Sequence, residues 1–199
     1  MLTTPLITNA IIKAVAFKKR SAMIILLMIV SLLIPDTHLA FVRTKDFFGS
    51  GVVYKDGYVL TAEHLYHEDG IYVNHAPFED LDGRKKAEVV DRDKDNDLML
   101  LKADNMKGSV EFANPVIDEE VIIVGYSIGI KMVFHGRVSA IVGNRVFIDC
   151  DAMKGASGSG VFNKKGKMIG LISSQVSDGH EVVLVAIHPR AIKNFLGVK

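Results

Sequence analysis

The 199-residue chain is poor in several things, and each shortage excludes a class of protein. It has one cysteine, Cys150, so no internal disulfide framework and no zinc ribbon can be built. It has little charge of one sign: 24 Lys and Arg against 23 Asp and Glu give a net +1, and no global case for binding nucleic acid. It has no apolar run as long as the roughly 20 residues that span a bilayer. Fixed-period repeats and low-complexity tracts are missing too, and an apolar content of 49% excludes a disordered tail, a collagen-like chain and a polytopic membrane protein. Cys150 closes the alternating run Val146-Phe147-Ile148-Asp149-Cys150, which reads as a buried small apolar residue.

The longest apolar run is AMIILLMIVSLLI, residues 22–34, preceded by Lys13, Lys18, Lys19 and Arg20 and ended by Pro35-Asp36. Thirteen uncharged residues after a basic flank suit a signal-peptide core, with the flank cytoplasmic and the rest exported. Ala40 could end a cleaved signal, although His38 stands where a small residue is usual. An uncleaved signal anchor and a buried core helix are the other readings. Residues 1–40 hold four basic side chains and one acid, a net of +3, which leaves −2 for residues 41–199. The near-neutral total is therefore a cationic targeting segment, signal peptide or membrane anchor, added to a slightly acidic body. That places the body in the periplasm or another extracytoplasmic space, free or held at a membrane through residues 22–34.

Past residue 46 the chain becomes short apolar runs separated by turn residues. Val52–Tyr54 and Tyr58–Thr61 flank Lys55-Asp56-Gly57, a hairpin signal. Further runs are Ala87–Val90, Leu98–Leu101, Val121–Val124, Met132–Phe134, Val138–Val142, Val146–Ile148, Val161–Phe162, Met168–Ser173 and Val182–Ile187. Asn163-Lys164-Lys165-Gly166 is a second hairpin turn. This spacing predicts an all-β sandwich or barrel and not βαβ units. Two short helices are expected. One follows Thr61; the other starts at Pro189, places Ile192, Phe195 and Leu196 on one face and stops at Gly197.

Three motifs carry chemistry. Gly49-Ser50-Gly51-Val52-Val53 is followed by Val59-Leu60-Thr61-Ala62-Glu63-His64; then come Asp97-Leu98-Met99-Leu100-Leu101 and Gly155-Ala156-Ser157-Gly158-Ser159-Gly160-Val161-Phe162. Taken singly each has a bland reading: a glycine–serine loop, a structural histidine, a surface carboxylate. Together they put His, Asp and Ser in order, each beside an apolar strand, and that order resembles the chymotrypsin-like serine peptidases. A serine hydroxyl needs a base within hydrogen-bond reach. His64 would take the proton of Ser157, and Asp97 would fix the imidazole tautomer and stabilise its charged form. The glycines let the chain turn sharply, aiming the N–H groups of Gly155 and Ser157 at a developing oxyanion.

The resemblance extends over roughly residues 46–196. Val121–Gly129 and Gly136-Arg137-Val138-Ser139-Ala140 are similar to strands of the HtrA/Deg-type trypsin-like peptidases. Ile169–Gln175 looks like their segment after the nucleophile, and Val185-Ala186-Ile187-His188-Pro189 like their closing strand with His188 inserted. It implies two packed six-stranded antiparallel β-barrels with the site in the cleft, barrel 1 over about 46–110 and barrel 2 over about 116–188. A C-terminal helix at 189–197 would follow, the apolar segment would form an N-terminal helix, and no PDZ domain would be present. The chain also departs from trypsin. Ala156 replaces the acid that pairs with a new N-terminus after zymogen cleavage, so activation of that type is not expected. Glu63 and Leu65 flank His64 in place of Ala and Cys, and Ser159-Gly160 stands where Gly-Pro is common.

For specificity, Asp151 lies six residues before Ser157, where an Asp in trypsin-like enzymes selects Lys or Arg. Asp151-Ala152 also fits as the counterpart of an HtrA-type Thr-Asp-Ala stretch with another place in the fold. Gln175 and Val183 fall at pocket positions that trypsin keeps open with glycine, which favours a shallow pocket for small aliphatic residues. A peptide substrate is expected to pair as an extra strand along Ser173, Ser174 and Gln175.

Three other patterns are set aside. Asp91, Asp93, Asp95 and Asp97 alternate like the start of a calcium loop, but Asn96 and Lys102 occupy the positions that need Gly and an acid. His64 and His67 are three apart but lack an HExxH pattern or a third ligand. Arg84-Lys85-Lys86 is too short a basic run to argue for nucleic acid. The expectation is therefore a serine endopeptidase, without metal or cofactor, acting on polypeptides, with unfolded chains suggested by the resemblance alone. An inactive trypsin-fold binding module and a viral or phage processing peptidase are the alternatives.

Overall fold

The computed structural model describes residues 38–75, 86–127, 130–150, 156–177 and 182–198. All lie in one compact unit, Ile34–Lys199. The apolar segment 22–34, with its expected helix, lies outside the described residues, as do Asp151 and Gly155. Among the described residues no helix is long and apolar enough to cross a membrane.

The fold is all-β, as expected. β1 (Leu39–Arg43), β2 (Phe48–Lys55), β3 (Tyr58–Thr61), β4 (Ile71–Asn74), β5 (Lys86–Asp93) and β6 (Leu98–Lys102) form a closed barrel in the order β1-β2-β3-β6-β5-β4. β7 (Glu120–Ser127), β8 (Ile130–Val142), β9 (Arg145–Asp149), β10 (Gly160–Asn163), β11 (Met168–Ser177) and β12 (Val182–Ile187) close a second, in the order β10-β11-β12-β9-β8-β7. All the ladders are antiparallel. Closure pairs most strand edges, which leaves little free edge to invite aggregation.

Each barrel has its own core. Val42, Val53, Val59 and Met99 pack inside the first, and Ile123, Ile148, Ile169 and Leu184 inside the second. β1 and β2 lie against β7. β1 is therefore buried on both faces: Ala40 and Val42 point into barrel 1, while Phe41 meets Tyr126 of β7 edge-on, ring centroids 5.5 Å apart. Such a strand is a continuous apolar run with no alternation. Leu39 and Ala40, assigned from sequence to the targeting segment, are fully buried residues of this strand, so barrel 1 begins before residue 46.

Two runs read as separate strands, Met132–Phe134 and Val138–Val142, are one strand. β8 pairs with β7 through Arg137 and with β9 from Arg137 onward, with a bulge between Val138 and Ala140. The helix expected after Thr61 is a single 3₁₀ turn, Glu63–Leu65. The C-terminal helix α1 (Pro189–Leu196) has Pro189 in its first turn and Gly197 at φ 66° as its C-cap. The inserted His188 is its N-cap, its ring Nδ1 accepting the N–H of Arg190 at 3.0 Å.

Candidate active site

His64 and Asp97 are brought together by two local devices. The 3₁₀ turn after β3 buries Leu65 and leaves the imidazole of His64 half-exposed above it. Before β6, Asp93 folds the chain back: its Oδ1 accepts the N–H of Asn96 at 3.0 Å and its Oδ2 the Asn96 amide at 2.7 Å. The turn ends with Asp97 in the left-handed region, φ 60°, which few residues other than glycine, asparagine and aspartate adopt. Its carboxylate then meets His64. Nδ1 lies 3.1 Å from Oδ1 and 3.0 Å from Oδ2, and the His64 N–H donates to Oδ1 at 2.9 Å. The Asp97 carbonyl accepts the N–H of Glu63 at 3.2 Å. A carboxylate only accepts, so the ring proton sits on Nδ1 and Nε2 is left as a base.

A further group completes the carboxylate's partners. Ser173 Oγ donates to Asp97 Oδ2 across the barrel interface. The β11–β12 register shifts between Ile172 and Ser174, and this bulge re-aims the Ser173 side chain. Sequence reasoning took Ser173 for a substrate contact. The contact expected there is strand pairing, which uses its backbone; its hydroxyl serves Asp97.

The hydrogen bond to Asp97 holds His64 above its ordinary pKa of 6.5; burial works the other way, and the charges of Asp97 and Glu63 add to the rise. For Asp97, burial alone would raise the pKa. Bonds from the His64 ring, Ser173 and the His64 N–H, with the imidazole's charge, outweigh burial and hold it below the ordinary 3.8.

The turn at Ser157 is built onto the first barrel. Its carbonyl accepts the N–H of Ser50 at 2.8 Å, and the Gly158 N–H donates to Ile172 O at 2.7 Å. Gly158 has φ +79°, and a Cβ there would lie 1.9 Å from Ser50 O and 2.7 Å from Thr61 Oγ1. Only glycine fits. Ser50 is fully buried and uses every polar atom it has. Besides its N–H, its carbonyl accepts from Thr61 Oγ1 at 2.7 Å. Its hydroxyl donates to Tyr126 O at 3.1 Å and accepts from Tyr126 N and Ser159 Oγ at 2.7 and 3.0 Å. That is the physical content of the Gly-Ser-Gly motif, and sequence reasoning did not assign it.

These contacts seat the Ser157 turn beside the segment that carries His64. A side chain on Gly49 would meet Leu65 at 2.6 Å and Ser157 O at 3.0 Å, so residue 49 lies between the two turns. Among the described residues the ring of His64 bonds only to Asp97, and no hydrogen bond joins it to the half-buried Ser157.

The specificity residues are partly placed. Ser174 and Gln175 are exposed on β11, whose pairing with β10 ends at Gly160↔Leu171, so among the described residues no strand pairs with that edge at 173–175. Gln175 pairs with Leu184, and Val183 with Val176 and Asp149. Directly opposed residues share a face, so Gln175 and Val183 lie on opposite faces of the ladder and are not two walls of one pocket.

Sequence reasoning also missed a brace on the His64 turn. The Arg92 guanidinium donates to Glu63 through Nη2 and, at 2.9 Å, through Nε, and lies 3.4 Å from the centre of the Tyr66 ring. The only signal was the departure at Glu63 itself. His67 binds Asp46 at 3.0 Å, and among the described residues no group of three or more His, Cys, Asp or Glu could hold a metal ion.

Two packed, closed six-stranded antiparallel barrels are the chymotrypsin-like fold. Solved structures with it include the Rv3671c protease of M. tuberculosis, active form at TM-score 0.74 and inactive form at 0.71. Each is 18% identical; both matches cover 84% of this chain, and 82% and 91% of the active and inactive chains. A family model of the trypsin-like peptidase domain matches residues 49–171, and the chain belongs to that family. Its curated relatives include the HtrA-like serine proteases of Staphylococcus aureus strains bovine RF122 and USA300, 27% and 28% identical over 67% of this chain. The chain spans about a fifth of their length, the alignments covering 21% of each.

Proposed function

We propose that this chain is a serine endopeptidase in which Ser157 is the nucleophile, His64 the general base and then acid, and Asp97 the group that orients His64. The observation that carries the reading is the fixed Nδ1 of His64 on both Asp97 oxygens, with the Ser157 turn bonded to the adjoining strand. In this mechanism Ser157 Oγ attacks the peptide carbonyl as its proton passes to His64 Nε2. The imidazolium formed is stabilised by Asp97. The oxyanion would be met by the N–H groups of Ser157 and Gly155. Collapse breaks the C–N bond, His64 returns the proton to the leaving amine, and an acyl-Ser157 ester remains. Water, deprotonated by His64, hydrolyses the ester and regenerates Ser157.

The edge of β11 that no described strand pairs beyond Ile172 supports binding of an extended peptide as an added strand along residues 173–175. Since Gln175 and Val183 lie on opposite faces, whichever face lines the cleft carries a side chain larger than glycine, which supports a shallow pocket for small aliphatic residues. Peptide-library profiling tests this; strong cleavage after Arg would overturn the shallow pocket and favour Asp151 as its floor. Unfolded polypeptides are the proposed substrates, by likeness to HtrA-type proteases. Export or anchoring through residues 22–34 is the proposed location, tested by fractionation and by the N-terminal residue of the mature protein. For the activity itself, wild type should cleave a denatured protein such as unfolded casein. Ser157→Ala should lose cleavage while keeping its melting temperature; persistent cleavage in a pure sample would remove Ser157 from the role.

A further inference from the structure

We propose that Arg145 and Asn144, at the β8–β9 turn of the second barrel, are positioning residues for Asp97 of the first, and that helix α1 supports the site through them. The proposal rests on the triad reading above. Its starting point is the left-handed backbone of Asp97, φ 60°. Aspartate enters this region more readily than most residues, yet it still costs free energy that neighbouring contacts offset. The turn's own bonds, Asp93 to Asn96, come from barrel 1 and close before Asp97. Asp97 itself is held from barrel 1 by the N–H groups of Glu63 and His64, whereas the carbonyls of residues 95 and 96 are held from barrel 2.

Arg145 straddles two consecutive carbonyls of the turn, Nη1 donating to Asn96 O at 3.3 Å and Nη2 to Asp95 O at 3.2 Å. Asn144 Nδ2 donates to Asn96 Oδ1 at 3.4 Å. Burial alone would raise the pKa of the Asp93 carboxyl; bonds from the Asn96 amide and from the N–H groups of Asn96 and Asp95, with the charge of Arg145, hold it below its ordinary value. Five rigid donors in a plane let one Arg reach both carbonyls; a lysine offers one point charge.

Arg145 and Asn144 are themselves held. Arg145 sits in β9, paired with Val142 and Ile187. The Asn144 carbonyl accepts the N–H of His188 at 2.9 Å, and its Oδ1 accepts Arg190 Nη2 at 3.0 Å. The same Nη2 donates to Gly143 O at 3.0 Å. The start of α1 thus grips residues 143–144, and these, with Arg145, grip residues 95–96. The inserted His188, which caps the helix, is the first link of this chain.

The test uses Arg145→Met, Arg145→Lys, Arg190→Met and the double variant Arg145→Met/Arg190→Met in the full chain, with Arg137→Met as control. Arg137 bonds only Asp118 and Glu120 at the surface. Casein-peptide kinetics should show kcat down by about tenfold or more in Arg145→Met, with KM within about twofold, because substrate contacts are untouched. NMR titration should show the His64 pKa falling toward 6.5, Arg145→Lys lying between, and Arg137→Met matching wild type. Adding Arg190→Met should cost less than its effect alone, since both act on one network. A folded Arg145→Met with wild-type kcat and His64 titration would overturn the proposal, and if it fails to fold, Arg145→Lys decides in the same way. If wild type hydrolyses nothing, the triad reading fails, and the His64 titration of the variants still decides the positioning claim.

Discussion

Gly158→Ala should both destabilise the domain and disable it, and Gly166→Ala separates the two causes. Both glycines have positive φ, +79° and +71°, but a Cβ at 166 meets nothing within 4 Å. Gly166→Ala therefore carries only the left-handed penalty, about 1–2 kcal/mol, or roughly 2–8 °C in Tm for a domain of this size. At 158 the same penalty applies, and the methyl would also sit 1.9 Å from Ser50 O. Relief needs a shift of more than 1 Å, about the difference between 1.9 Å and an ordinary C···O contact. That shift breaks the Ser50–Ser157 and Gly158–Ile172 backbone bonds. Of the four groups freed, those of Ser50, Gly158 and Ile172 are buried and add about 3–9 kcal/mol. Thermal melts should show at least twice the Tm loss of Gly166→Ala. Because about 1 Å of misplacement costs on the order of 100-fold, cleavage of a peptide substrate should fall by that factor or more in Gly158→Ala and stay at wild type in Gly166→Ala. Equal Tm shifts with retained activity in both would refute the reasoning.

Other outcomes follow from the same contacts. Ser173→Ala removes a charge-assisted bond to Asp97 worth about 1.5–3 kcal/mol; kcat/KM should fall by about tenfold or more at unchanged fold, measured by steady-state kinetics. Because His64 must be neutral to act and its pKa is raised, the rising limb of kcat/KM should lie above pH 6.5 and move down in Asp97→Asn. Stability should respond at both ends of the pH scale. The contribution of His64 is complete below pH 6.5 and is lost as pH rises through its folded value. That of Asp97 is complete above 3.8 and is lost as pH falls through its lowered folded value. Chemical denaturation across pH checks both, and Asp97→Asn should flatten them. Arg92→Ala leaves the largely buried Glu63 unpaired and should cost about 2–4 kcal/mol by the same assay.

What the sequence revealed depended on whether one face of an element meets water. β3 and β12 match their apolar runs end to end, Tyr58–Thr61 and Val182–Ile187, because turn residues bound them. Helix α1 was legible because Pro189 and Gly197 punctuate it. β1 was not, since a strand buried on both faces has no period and here follows closely on the apolar run of residues 22–34. β4 was missed at four residues. Of the site, the His64–Asp97 pairing could be read from motif order. Apart from the bond from Thr61 to Ser50, the bulge that turns Ser173 toward Asp97, the exhausted polar atoms of Ser50 and the grip of Arg145 on residues 95–96 join residues 49 to 109 positions apart. Contacts at that separation leave no local pattern.

The most direct measurement is labelling with a fluorophosphonate, which reacts only with a serine made nucleophilic by its surroundings. Wild-type protein should take up one phosphonate, mapped by mass spectrometry to the peptide containing Ser157. His64→Ala should abolish it, and heat-unfolded protein should not react. A folded wild type that stays unlabelled, or an adduct on any other serine, would contradict the account.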